Sequence, residues 1–187
     1  YLSHSGQMKG QFGYGITLFA EDEFYKNILF EDNYGLEISF EKSFSKSISF
    51  NIKPKFGTEI IRVDAPYQAK NTGLGLGIEL KPSDEFKLNF RMDQSKSIRF
   101  ENDEVVYSDM IARARFEYQA TTFLNFRLVA QYHRYYDTFD IQPLISYQPG
   151  PFSIFYFGTS RSYDTSFPEW KESYGQIYLK VQKLFSF

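Results

Sequence analysis

A two-residue alternation of apolar and polar side chains runs through most of the chain, and it constrains the fold more than any other feature. Only an extended strand sends successive side chains to opposite faces. In the last segment Ile177, Leu179, Val181, Phe185 and Phe187 share one face, with Lys183 as the exception, while Gln176, Tyr178, Lys180, Gln182 and Ser186 share the other. Phe86, Leu88, Phe90 and Met92 alternate with Lys87, Asn89, Arg91 and Asp93. Ile48, Phe50, Ile52 and Phe56 stand against Asn51, Lys53, Lys55 and Glu59. The segments from Met110 and Leu124 repeat the pattern, with Arg113, Arg115, Glu117, Arg127, Gln131 and His133 on their polar sides. Ten strands are predicted, over 10–20, 34–42, 47–61, 69–81, 86–100, 105–119, 124–137, 139–147, 152–163 and 174–187. In 71–81 the polar face is held by Gly73, Gly75 and Gly77, which read as glycines making room on that face rather than as a phosphate loop. The stretch 152–160 is apolar on both faces and its sides stay unassigned.

The predicted connections alternate in character. Short turns fall at 43–46, 82–85, 120–123 and 148–151; the segments 21–33, 62–68, 101–104 and 164–173 are mostly longer and more polar, and the link at Thr138 is a short exception. Outer-membrane barrels have short periplasmic turns, longer outer loops and an even strand count.

Alternation alone fits a soluble barrel, which buries its apolar face, as well as a membrane barrel, which turns it to lipid. Three features favour lipid. The predicted strands often reach the ~10 residues of a tilted span. Aromatic residues make up 20% of the chain. They gather near strand ends, Phe44, Phe86, Phe123, Phe152 and Phe187 on one side and Tyr34, Tyr67, Tyr107, Tyr135, Tyr163 and Trp170 on the other, as two interfacial girdles would. Finally, the chain ends on Phe187 with Phe185 two before it. That ending resembles the C-terminal signal read by the bacterial outer-membrane assembly machinery: Lys180, Phe185 and Phe187 match it, while Gln182 stands where Gly is usual. The expectation is an all-β, antiparallel transmembrane β-barrel of about ten strands over 1–187, in a bacterial outer membrane. No apolar run approaches the ~20 residues of a membrane helix. The start at Tyr1 reads as a mature product or a fragment.

The second half also resembles a known group of proteins. YQATTFLNFR (118–127) within 114–132, then PLISYQP (143–149) within 143–160, then the closing strand QIYLKVQKLF (176–185) are similar to the barrel region of large outer-membrane proteins. These carry an N-terminal carbohydrate-binding family 9-like domain and end in an uncharacterised barrel. The resemblance covers the chain from Ala114 onward and the earlier part only by general pattern. It implies a longer parent chain, a barrel wider than ten strands and a glycan-binding module outside this sequence. It carries over no catalytic residues.

The polar face is the main candidate for function. Lys53, Lys55, Lys87, Arg91, Arg99, Arg113, Arg115, Arg127 and Lys180 are expected to line a lumen, interleaved with Glu37, Glu41, Glu59, Glu79, Asp93 and Glu117. Such groups pair across strands or stay wet. They would plug a closed ten-stranded interior, or line a water-filled wall with a weak preference for anions in a wider barrel. The wider barrel is favoured.

Enzyme chemistry finds little footing. His133 near Asp137 and Asp140 is the one acid–base grouping, and it lacks a clear nucleophile. The acidic stretch Glu21, Asp22, Glu23, Glu31 and Asp32 reads as a solvated loop rather than a cation site. The chain has no cysteine and two histidines, so thiolate chemistry and His-rich metal sites are excluded. A net charge of -2 gives no general pull toward nucleic acid. The leading expectation is a non-enzymatic channel, anchor or subunit of a surface assembly, with glycan capture as one role. Its partners are outer-membrane lipid, the assembly machinery and further subunits, and no cofactor is expected. The alternatives are a barrel hydrolase with its site near His133, and a soluble β-barrel holding an apolar ligand.

Overall fold

The computed structural model describes residues 1–183. It is all-β: eleven antiparallel strands form one sheet, and each pairs only with its neighbours in the chain. They are β1 (Leu2–Met8), β2 (Phe12–Tyr25), β3 (Ile28–Ser45), β4 (Ile48–Ile61), β5 (Tyr67–Leu80), β6 (Phe86–Arg99), β7 (Val105–Gln119), β8 (Leu124–His133), β9 (Thr138–Gly150), β10 (Ser153–Asp164) and β11 (Lys171–Lys183). β1 and β11 are the two ends of this order, and no pairing joins them among the described residues.

Two sequence expectations change here. The count rises to eleven because Leu2–Met8 forms a strand that the alternation did not reveal. The expected first strand, 10–20, therefore lies between β1 and β3 rather than at an edge. The expected loop 21–33 is a continuation of β2 and β3, closed by the two residues Lys26 and Asn27. Both have positive φ, 48° and 64°, the geometry of the two-residue turn whose twist matches that of paired strands. A bulge between Glu21 and Glu23 absorbs one residue of this ribbon.

The contrast between short and long connections also disappears. Connections from odd to even strands cover 9–11, 46–47, 81–85, 120–123 and 151–152, and those from even to odd cover 26–27, 62–66, 100–104, 134–137 and 165–170. Both sets are short because the strands extend into the segments predicted as loops.

The sheet comprises two compact units, one of Tyr1–Ile78 with Met92–Met110 and one of Glu79–Arg91 with Ile111–Phe187. In the first unit, Ile16, Leu18, Phe40 and Phe56 are exposed on one face. The register pairs Ile16 with Ile38, Leu18 with Leu36, Leu36 with Phe56 and Phe40 with Ile52, so this face is continuously apolar. In the second unit, Leu128 and Ile145 are exposed, and Phe157, Ile177, Leu179 and Val181 are 54–72% exposed. Pairings of Phe126 with Ile145 and of Phe157 with Leu179 join these residues into one apolar surface. Buried apolar side chains among the described residues are Phe30, Ile60, Ala69, Val129 and Leu144, far too few for a dry interior.

Aromatic residues mark the strand ends in part as expected. Phe44, Phe123 and Phe152 are exposed at odd-to-even turns, and Tyr34, Tyr135 and Trp170 are exposed toward the other ends. Tyr67 and Tyr107 depart from the girdle. Their strand parity puts them on the polar face, where the Tyr67 hydroxyl accepts a hydrogen bond from Arg99 Nη2 at 2.9 Å and Tyr107 donates to Asp109 Oδ2 at 3.2 Å.

Candidate functional site

The polar face of the first unit is built around small residues. Gly73, Gly75 and Gly77 occupy successive polar-face positions of β5. A Cβ on Gly73 would come 3.4 Å from the Lys55 Cβ, and one on Gly75 would come 3.4 Å from the Lys53 Cβ and 3.3 Å from Asp93 Oδ1. A Cβ on Gly77 would collide with the Asn51 amide. The stems of the β4 side chains thus run over the glycine backbone, which leaves an open groove of about 320 Å³. Lys53, Lys55, Glu37, Glu59, Asn71, Asp93 and Ser95 line it. No ion pair engages Lys53, Lys55, Glu37 or Asp93 among the described residues, so these charges depend on water.

One end of this groove is a buried polar network. Ser97 is fully buried and Asn71 is 7% exposed. The Ser97 hydroxyl donates to Glu59 Oε1, and Asn71 Nδ2 lies 3.0 Å from Glu59 Oε2, 3.1 Å from Ser97 Oγ and 3.2 Å from Ser95 Oγ. The Arg99 guanidinium sits 4.2 Å from the centre of the Tyr67 ring, and its Nε is 3.7 Å from Glu104 Oε2. Alternation places Glu59, Tyr67, Asn71, Ser95, Ser97 and Arg99 on the polar faces of their strands, and Glu104 lies in the following turn. Ser95, Ser97 and Asn71 escaped notice as candidates because short uncharged side chains give no signal of the contacts they make.

The polar face of the second unit is fuller and more basic. Glu117 stands directly across from Arg127, and Arg115 Nη2 meets Glu117 Oε1 at 2.5 Å. Arg127 Nε is buried and has no hydrogen-bond partner among the described residues. Lys87 pairs with Glu79 at 3.1 Å. Arg113 lies across from Gln131, and neither Arg113 nor Arg91 makes an ion pair among the described residues. On β11, Lys180 places its ammonium 5.9 Å from the Tyr156 ring centre. Val129 and Leu144 are buried on this face, and the Tyr178 ring lies against Gly158 and Leu144.

The expected lining residues therefore fall into two groups, one on the polar face of each unit. Lys53, Lys55 and Arg99 belong to the first unit, together with Glu37, Glu41, Glu59, Asp93 and Asp109. Lys87, Arg91, Arg113, Arg115, Arg127 and Lys180 belong to the second, with Glu79, Glu117 and Asp140. Of the charges expected on the lining, three basic and four acidic fall in the first unit, and six basic and two acidic in the second. Of the assembly-signal residues, Lys180 is described, and Phe185 and Phe187 lie outside the described residues.

His133 ends β8, faces Thr138 across the turn, and packs edge-on against Tyr136 with ring centres 4.6 Å apart. In the acidic ribbon, Glu23 pairs with Arg62 at 2.5 Å and Asp22 accepts the Asp32 amide at 3.0 Å. Among the described residues no group of three or more His, Cys, Asp or Glu is arranged to hold a metal ion. Comparison with protein-family models, curated proteins and solved structures finds no match.

Proposed function

We propose that this chain forms the membrane-spanning wall of a bacterial outer-membrane β-barrel and serves as a non-enzymatic channel for small polar solutes. The carrying observation is the inverted sidedness. Leu128, Ile145, Phe157, Ile177 and Leu179 are exposed on one face, while Ser97, Asn71 and Asn33 are buried. Leaving that much apolar surface in water forfeits ~25 cal/mol per Å², which lipid contact recovers. Backbone pairing within a sheet meets the bilayer's demand that polar backbone groups be satisfied internally. The charges on the opposite face favour a wet lining over a sealed one, since Lys53, Lys55, Arg91 and Arg113 lack ionic partners among the described residues. The proposal includes insertion by the outer-membrane assembly machinery through Lys180, Phe185 and Phe187. It also includes membership of the barrel group that 114–185 resembles, where the channel would serve a glycan-capturing surface assembly.

Envelope fractionation tests the reading. The protein should co-sediment with outer membranes, resist alkaline carbonate extraction, and raise conductance when reconstituted in planar bilayers. A chain that stays monomeric and soluble without detergent would sink it, and membrane residence without conductance would reduce the role to an anchor.

A further inference from the structure

The direction of the two edge strands says what must flank them in a membrane. All eleven strands are antiparallel to their neighbours and follow chain order, so every odd-numbered strand runs the same way. β1 and β11 are both odd and are both ends of the order. Direct pairing between them would be parallel. The same holds for β11 of one copy against β1 of a second copy inserted in the same orientation, and for either edge against its own counterpart. Bacterial single-chain outer-membrane barrels close with antiparallel strands and even counts. An open edge cannot remain in lipid, where each unsatisfied backbone group costs several kcal/mol.

We propose that β1 and β11 each pair with an amphipathic strand of opposite direction that is not one of these eleven, so that an odd number of further strands completes the wall. This rests on the membrane reading above. The required partner is defined chemically. It alternates apolar and polar residues, and its apolar set lies level with Ile177, Leu179 and Val181 beside β11.

The test places a photo-crosslinking amino acid singly at Ser3, Ser5 or Gln7 on β1, and at Tyr178 or Gln182 on β11, in the full-length protein in native outer membranes. Adducts are mapped by mass spectrometry. The expected adducts fall on peptides outside 2–183, and moving the probe from Ser3 to Gln7 shifts the adduct toward the N-terminus of the partner strand. Adducts joining β1 to β11 of the same or another copy, a shift in the opposite sense, or no adduct at either edge would overturn the inference while leaving the membrane reading in place. Absence of the unsubstituted protein from the membrane fraction would overturn both.

Discussion

Tyr178 stands directly across from Gly158, with its ring laid over the glycine so closely that a Cβ there would come within 2.6 Å of the ring's hydroxyl end. The same Cβ would be 3.0 Å from Leu144 Cδ1. Phe19 covers Gly35 in the same manner across β2 and β3. Each glycine accepts a weaker strand conformation so that an aromatic from the next strand can fill its place.

Gly158→Ala should therefore push the Tyr178 ring away from Leu144. The expected cost is about 1–3 kcal/mol, the usual range for overpacking. Denaturant unfolding in lipid vesicles measures it. Adding Tyr178→Ala to the variant should recover part of the loss, because the collision is then removed.

Leu128 lies mid-strand on the apolar face, across from Phe116 and Pro143. Leu128→Arg should cost ~2–4 kcal/mol at a bilayer midplane. Arg113→Leu, on the other face, should cost much less. Equal effects in a vesicle unfolding assay would contradict the assigned sidedness.

Asn71 and Ser97 supply the hydrogen bonds that keep Glu59 satisfied. Asn71→Leu should destabilise the first unit by about 1–3 kcal/mol, the cost of leaving a buried polar group unmatched. Replacing Asn71 and Glu59 together by Leu and Gln should cost less than the sum of the single changes. Additive losses would show that the groups act independently.

Arg113 and Arg115 place positive charge on the polar face of the second unit. Reversing both to Glu should shift reconstituted channels toward cations, read as a change in reversal potential across a salt gradient. An unchanged potential would place the conducting path elsewhere.

Glu85 lies in the turn 81–85, where hydrogen bonds from the Ser83 side chain and from its own backbone amide hold its carboxyl below the usual 4.5. A lowered value in the folded state means that this contribution is present above about pH 4.5 and is lost as pH falls through the lowered value. Ser83→Ala should raise the Glu85 midpoint toward 4.5, measured by NMR titration of the carboxyl carbon. An identical midpoint in the variant would remove Ser83 as the cause.

What the sequence disclosed was set by how much of each strand's signal lay in its own residues. The strands around Leu88, Leu128 and Leu179 alternate cleanly; the first spans Phe86–Arg99 against a predicted 86–100, the second starts at Leu124 as predicted but turns after His133 rather than at 137, and the third begins at Lys171, three residues early, with its predicted end outside the described residues. β1 was missed because Leu2, His4, Gly6 and Met8 share a face without making it apolar. The acid-rich ends of β2 and β3 read as loop because Glu21, Asp22 and Glu23 break the alternation, and their turn at Lys26 and Asn27 lacks the Asn-Gly pair that usually announces one. The sides of 152–160 stayed unassigned until Gly158 appeared buried under Tyr178 while Phe155 and Phe157 stood exposed. Which charges share a unit depends on contacts between distant segments, and alternation fixes only the face of each.

The strictly sequential order from β1 to β11 has a developmental side. Each strand meets its partner after a connection of only a few residues, so the entropy of loop closure stays small at every step. Such a chain can be zipped hairpin after hairpin as it enters the bilayer, without waiting for remote segments to find one another. It can also gain or lose a whole hairpin by duplication or deletion, since removing two adjacent strands brings together neighbours that already run in opposite directions.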